Sequence, residues 1–72
     1  MLPDYEVDTF LDLVSIAQDM ARRGHADDGC EVLILGWQRA REIENEPWAE
    51  ELVRRYQQAV QQFVEAHPIR RS

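Results

Sequence analysis

The stretch Val32-Leu33-Ile34-Leu35-Gly36-Trp37, continuing as Gln38-Arg39-Ala40-Arg41-Glu42-Ile43-Glu44, decides the fold class. Val32 to Leu35 alone fits either a buried strand or a turn of buried helix, because so short an apolar run has no period of its own. The residues that follow separate the two. Leu33, Gly36, Trp37, Ala40, Ile43 and Glu44 recur at helical spacing and share one side of a helix. A helix is therefore expected over residues 28–44, with Asp27 or Asp28 at its start, where negative charge suits the exposed N–H groups. Its middle is apolar nearly all the way round. That pattern predicts burial on two sides, as in the middle member of a three-helix arrangement.

Toward the N-terminus, Phe10, Leu13, Ala17 and Met20 follow at spacings of three, four and three, with Val14 and Ala21 beside them. This predicts a helix over 9–23 capped by Asp8, after an irregular lead over 1–7 punctuated by Pro3. Leu11 and Ile16 lie to the flanks of the stripe and broaden its apolar surface. Gly24 stops the helix, since glycine enters a left-handed C-terminal turn without strain, and Arg22 and Arg23 suit the last turn. Toward the C-terminus, Asn45-Glu46 makes a break and Pro47 fits the first position of a third helix over 47–66. Trp48, Leu52, Tyr56, Ala59 and Phe63 form its main stripe, with Trp37 expected in the same core. Glu50/Arg54 and Glu51/Arg55 are spaced four apart with the acid first, the favourable order. His67-Pro68 ends the helix and begins a tail over 67–72. The expectation is an all-α chain, one helical domain over 1–72 with three antiparallel helices.

Composition restricts function. The 72 residues carry 8 bases and 14 acids, a net charge of −6. Residues 1–28 hold seven acids against two bases, and residues 47–72 hold three against four. An acidic surface repels the phosphate backbone that dominates nucleic-acid affinity, so no nucleic-acid partner is expected. All the bases are arginine, which pairs carboxylates through a two-pronged fork. No apolar run approaches the roughly 20 residues of a membrane span, and the acidic start does not read as a secretion signal. With the single Cys30, these features lead us to expect a cytoplasmic protein with no membrane partner.

A repeat signature runs through the first two helices. Leu13, Ile16, Ala17 and Met20 place large, large, small and large residues in one helix; Gly24 makes the turn; Gly29, Leu33 and Gly36 place small, large and small in the next. With an offset of 36, Leu52, Val53 and Tyr56 match Ile16, Ala17 and Met20. Residues 9–44 thus resemble a tetratricopeptide hairpin, a helix-turn-helix unit of about 34 residues, with the third helix standing where a next repeat would begin. Ala17 and Met20 stand where that family carries glycine and tyrosine, and the closing proline is missing from its usual place. A plain three-helix bundle fits the same pattern. In either case Gly29 and Gly36, each costing about 1 kcal/mol against alanine within a helix, make sense if two helices must approach closely.

Chemistry-bearing motifs are absent from the sequence. There is no P-loop, no dinucleotide-binding glycine turn and no paired-histidine metal motif, so no cofactor, no metal site and no catalytic residues are expected. His25, Asp27, Asp28 and Cys30 form one cluster with ligand-type side chains, but turn polarity and a small buried cysteine explain it more simply. The acids flanking Cys30 oppose the thiolate that a nucleophile would need.

The function expected is therefore a non-enzymatic protein–protein interaction module, an adaptor or chaperone-like small subunit. A chain this short builds only ~3–5 kcal/mol from one core and often gains stability by association, so a protein partner or a homodimer is expected. The tetratricopeptide resemblance implies a partner groove along the first helices of successive hairpins. Carried over, it would be faced by Val14, Gln18, Arg22, Arg54, Gln57, Gln58 and Gln61. The alternative is a small DNA-binding helix-turn-helix regulator that uses the arginines of the third helix.

Overall fold

Pro3 starts the first helix five residues earlier than the apolar pattern places it. In the computed structural model, which describes residues 3–68, the backbone carbonyl of Pro3 accepts from the N–H groups of Glu6 (3.1 Å) and Val7 (3.2 Å). Helix α1 spans Asp4–Arg22, with Asp4 and Glu6 in its first turn, where acids favour the dipole. The expected irregular lead and the Asp8 cap are both corrected by this. Asp8 lies one turn inside α1, and no side chain caps its N-terminus.

At its other end α1 stops as expected. Gly24 has φ of +88°, in the left-handed region. The N–H of Gly24 donates to Ala21 O (3.0 Å) and that of His25 to Met20 O (2.8 Å), the paired bonds of a Schellman turn. This reverses the chain into α2, Ala26–Glu42, with Asp27 and Asp28 in its first turn. Helix α2 ends two residues short of expectation. Glu46 N donates to Ile43 O (2.9 Å) and Ala49 N to Glu46 O (3.0 Å). Pro47 therefore occupies the second position of a turn that its fixed φ suits, rather than the first position of a helix. Helix α3 is Ala49–Ala66, closed at His67. The architecture is all-helical, three helices with no strand among the described residues. The expected tail at Ile69–Ser72 lies outside those residues.

The core draws on all three helices: Phe10 and Ala17 from α1, Leu33 and Ala40 from α2, Leu52, Tyr56 and Phe63 from α3, with Ile43 and Ala49 at the α2–α3 connection. Burying each of the large side chains contributes roughly 1.5–3 kcal/mol. Helices α1 and α2 approach closely where Ala17, fully buried, faces Gly29. A Cβ on Gly29 would stand 2.8 Å from the Ala17 carbonyl oxygen and 2.9 Å from Phe63 Cζ. At Gly36 an added Cβ would overlap the Tyr56 hydroxyl and ring. The vacancy matters because Tyr56 reaches across it and donates to the carbonyl of Leu33 (2.5 Å). Burial pushes the Tyr56 phenol up to about 12, so it stays protonated as a donor. Its ring also meets Phe10 at 4.9 Å and Trp37 edge-on at 5.4 Å, which ties α3 to both other helices.

Among the described residues, one charged side chain lies inside. Glu6 occupies the position before Phe10, Leu13 and Ala17 in the buried stripe and is only 2% exposed. Arg39 of α2 grips it with a fork: Nε donates to Oε2 (3.1 Å), and the second terminal nitrogen bonds Oε1 and also the Tyr5 hydroxyl. The remaining nitrogen meets Glu42 at 2.8 Å. Hydrogen bonding from Arg39 holds the Glu6 carboxyl below its ordinary value of 4.5. Two-sided burial of α2 does not hold along its length. Ile34 and Leu35 are each about half exposed, because α1 and α3 cover only one broad side of it.

Gly29→Ala and Gly36→Ala are each expected to destabilise by about 1–3 kcal/mol in urea unfolding, despite the helix-propensity gain of about 1 kcal/mol; a stabilised variant at either position would contradict the close packing. Glu6→Gln is expected to lower stability near neutral pH. Because the folded-state value of Glu6 is depressed, its contribution is complete above pH 4.5 and is lost as pH falls through the lower folded value. The gap between wild type and Glu6→Gln should therefore close on acidification, as followed by thermal melts across pH 3–7.

Candidate functional site

Among the described residues, an apolar crevice, a second crevice of mixed lining and a charge-rimmed basin mark the surface. The first crevice runs between α1 and α3. Phe10, Leu52 and Tyr56 form its floor, Val7, Leu11 and Val14 its α1 wall, and Arg55 and Ala59 its α3 wall. Its volume is about 130 Å³, and its lining is almost wholly apolar. Helical spacing explains the α1 wall: Val7, Leu11, Val14, Gln18 and Arg22 follow at four, three, four and four. Leu11 stands 60% exposed on the rim. Asp4 and Asp8 extend the same edge at the end where α1 and α3 both begin, and both are exposed.

Of the seven residues expected to face a groove, Val14 lines this one. Gln18 and Arg22 continue its strip along α1 and are exposed, with Arg22 near Asp19 at 3.6 Å. The α3 residues are distributed differently. Gln58 lies one turn beyond Arg55, next to the rim. Arg54, Gln57 and Gln61 are exposed on the side of α3 turned away from the groove, where Arg54 bonds Glu50 (3.3 Å) and Gln61 bonds Glu65 (3.3 Å). Arg55 meets Glu51 at 2.8 Å. Both expected acid-first pairs therefore form, and each of these two α3 arginines is matched by a glutamate on its own helix. Val7, Leu11 and Arg55 are groove residues that the sequence reading missed, and Phe10, Leu52, Tyr56 and Ala59 had been read as core stripe rather than groove. Val7 would have been found by extending the four-three-four spacing back through the supposed lead.

The second crevice lies between α2 and α3 on the opposite side, lined by Trp37, Ala40, Arg41, Glu44 and Val53. The basin surrounds the α1–α2 turn and is rimmed by charges that pair locally: Arg23 with Asp19 (3.2 Å) and His25 with Asp28 (4.0 Å). Cys30, half-buried on α2, has its thiol pushed up by burial and by Asp27, which leaves little thiolate for nucleophilic or ligand chemistry. Among the described residues, no three histidine, cysteine or acidic side chains gather in a way that could hold a metal ion. No helix among them is long and apolar enough to cross a membrane.

The α1–α3 groove is thus the candidate site. It offers a largely aromatic floor and mainly aliphatic walls with Arg55 on the α3 side, and the exposed Asp4 and Asp8 lie beyond its lining on the first turns of α1. At about 130 Å³ it is smaller than the ~300–1,000 Å³ of small-molecule pockets, but it can admit one or two side chains of a partner. Comparison with protein-family models, curated proteins and solved structures finds no match to this chain.

Proposed function

We propose that the chain is a non-enzymatic protein–protein interaction module, a cytoplasmic adaptor or chaperone-like small subunit, that holds an amphipathic helix in its α1–α3 groove. The observation that carries this is Leu11. A leucine 60% exposed on the rim of an apolar groove, between Val7 and Val14, is a large hydrophobe placed where a partner would cover it. Asp4 and Asp8 supply the chemistry of recognition. A partner helix with leucines along one side and lysines or arginines flanking them would bury its apolar stripe against Leu11 and Val14 and set its cations near the acidic end. The resemblance of residues 9–44 to a tetratricopeptide hairpin supports the same reading, because in that family the helices equivalent to α1 and α3 line the partner groove. The tight Ala17–Gly29 approach is the kind of contact that such a hairpin needs.

Amide chemical shifts of the ¹⁵N-labelled chain, titrated with a basic amphipathic helical peptide, provide the test. The largest changes are expected at Val7, Leu11, Val14, Arg55 and Ala59. Leu11→Asp is expected to weaken binding about 10–100-fold with helicity unchanged, the equivalent of losing one buried aliphatic side chain. Shifts confined to other surfaces would refute the groove. Binding to duplex DNA at low salt, in place of the peptide, would favour the helix-turn-helix alternative.

A further inference from the structure

The groove leaves a second apolar surface unused. On α2, Cys30, Ile34, Trp37 and Arg41 follow at four, three and four, and Glu44 stands three further on, in the turn after the helix. On α3, Val53, Gln57, Val60 and Val64 follow at four, three and four. These are the intervals of a helix that packs lengthwise against other helices. The two strips border the α2–α3 crevice on the side away from the groove. Trp37, Val53 and Val60 are half-buried against the core, whereas Ile34 is 52% and Val64 48% exposed.

We infer that this α2–α3 face docks a second copy of the chain, face to face, so that two helices from each copy form a four-helix core. Charge selects the occupant. The chain carries −6, and Asp4, Asp8, Asp12 and Asp19 lie along α1. Copies meeting through α1 would set these acids against one another. Between their ends the α2–α3 strips carry one cation, Arg41, and one anion, Glu44, neither of which has an ion-pair partner among the described residues, and Asp27 adjoins them at the Cys30 end. A symmetric contact must tolerate its own image, and a patch with one charge of each sign does so. Extent sets the strength. About 12 residues of helix at roughly 1.5 Å each give strips ~18 Å long, on two helices roughly 8–10 Å apart. A footprint of that size falls at the low end of specific interfaces, which calls for a reversible dimer with a dissociation constant of about 10–100 µM. The inference is independent of the groove, which stays open in such a dimer.

Sedimentation equilibrium of the whole chain over about 10–500 µM tests it. A monomer–dimer equilibrium is expected. Added salt at about 0.15 M should tighten it by screening the repulsion between two acidic copies. Ile34→Glu and Val64→Glu, at exposed positions that spare the core, should each raise the dissociation constant at least about tenfold with unchanged circular dichroism. Leu11→Asp should leave it unchanged, and Ile34→Glu should still bind the basic peptide. A chain that stays monomeric throughout would overturn the inference and leave the face to a different partner. So would a dimer indifferent to Ile34→Glu. A dimer lost in Leu11→Asp would place the second copy in the groove instead.

Discussion

The structure depends on one side chain passing over one missing side chain. Tyr56 lies across Gly36 to reach the backbone of α2 at Leu33, and from that position its ring touches Phe10 on α1 and Trp37 on α2. A methyl group at Gly36 would occupy the space of the phenol. Without the phenol, α3 would keep its aliphatic contacts but lose the group that touches both other helices. The floor of the α1–α3 groove is made by the same ring, so the packing of the third helix and the shape of the candidate site have a common origin.

The Glu6–Arg39 pair acts alongside this packing in a different way. A buried carboxylate costs several kcal/mol of lost hydration unless it is fully bonded, and here the fork of Arg39 meets both oxygens. The pair links the first turn of α1 to the last turns of α2, the end of the hairpin far from the Gly24 turn. The hairpin is therefore fastened at both ends, by backbone bonds at one and by charge at the other. Between them Ala17 and Gly29 set the spacing.

Features that depend on neighbours in sequence were legible in the sequence. The left-handed Gly24, the glutamate–arginine pairs of α3 and the end of α3 at His67 all follow from interactions spanning no more than five residues. The small residues at Gly29 and Gly36 announced a close approach without revealing what approaches. The start of α1 was misread because Glu6 breaks the apolar stripe, and the residue that makes it tolerable, Arg39, is 33 positions away. Burial around α2 was overread because an all-round apolar helix implies neighbours on every side, and only two other helices are at hand to cover Ile34 and Leu35. The α3 wall of the groove escaped for a related reason. The α3 stripe through Leu52, Tyr56 and Ala59 was legible from spacing, but which of its flanks borders α1 depends on how the helices pack together.

Cys30 gives the α2–α3 surface a further property. Its sulfur sits half-covered beside Asp27, and both burial and that carboxylate favour the protonated thiol. Oxidants and disulfides react with the anion, so a sulfur held in this way is slow to oxidise or to join another sulfur. A surface laid against this side of α2 would therefore meet a thiol held in its less reactive, protonated form, which favours contact by packing over a disulfide.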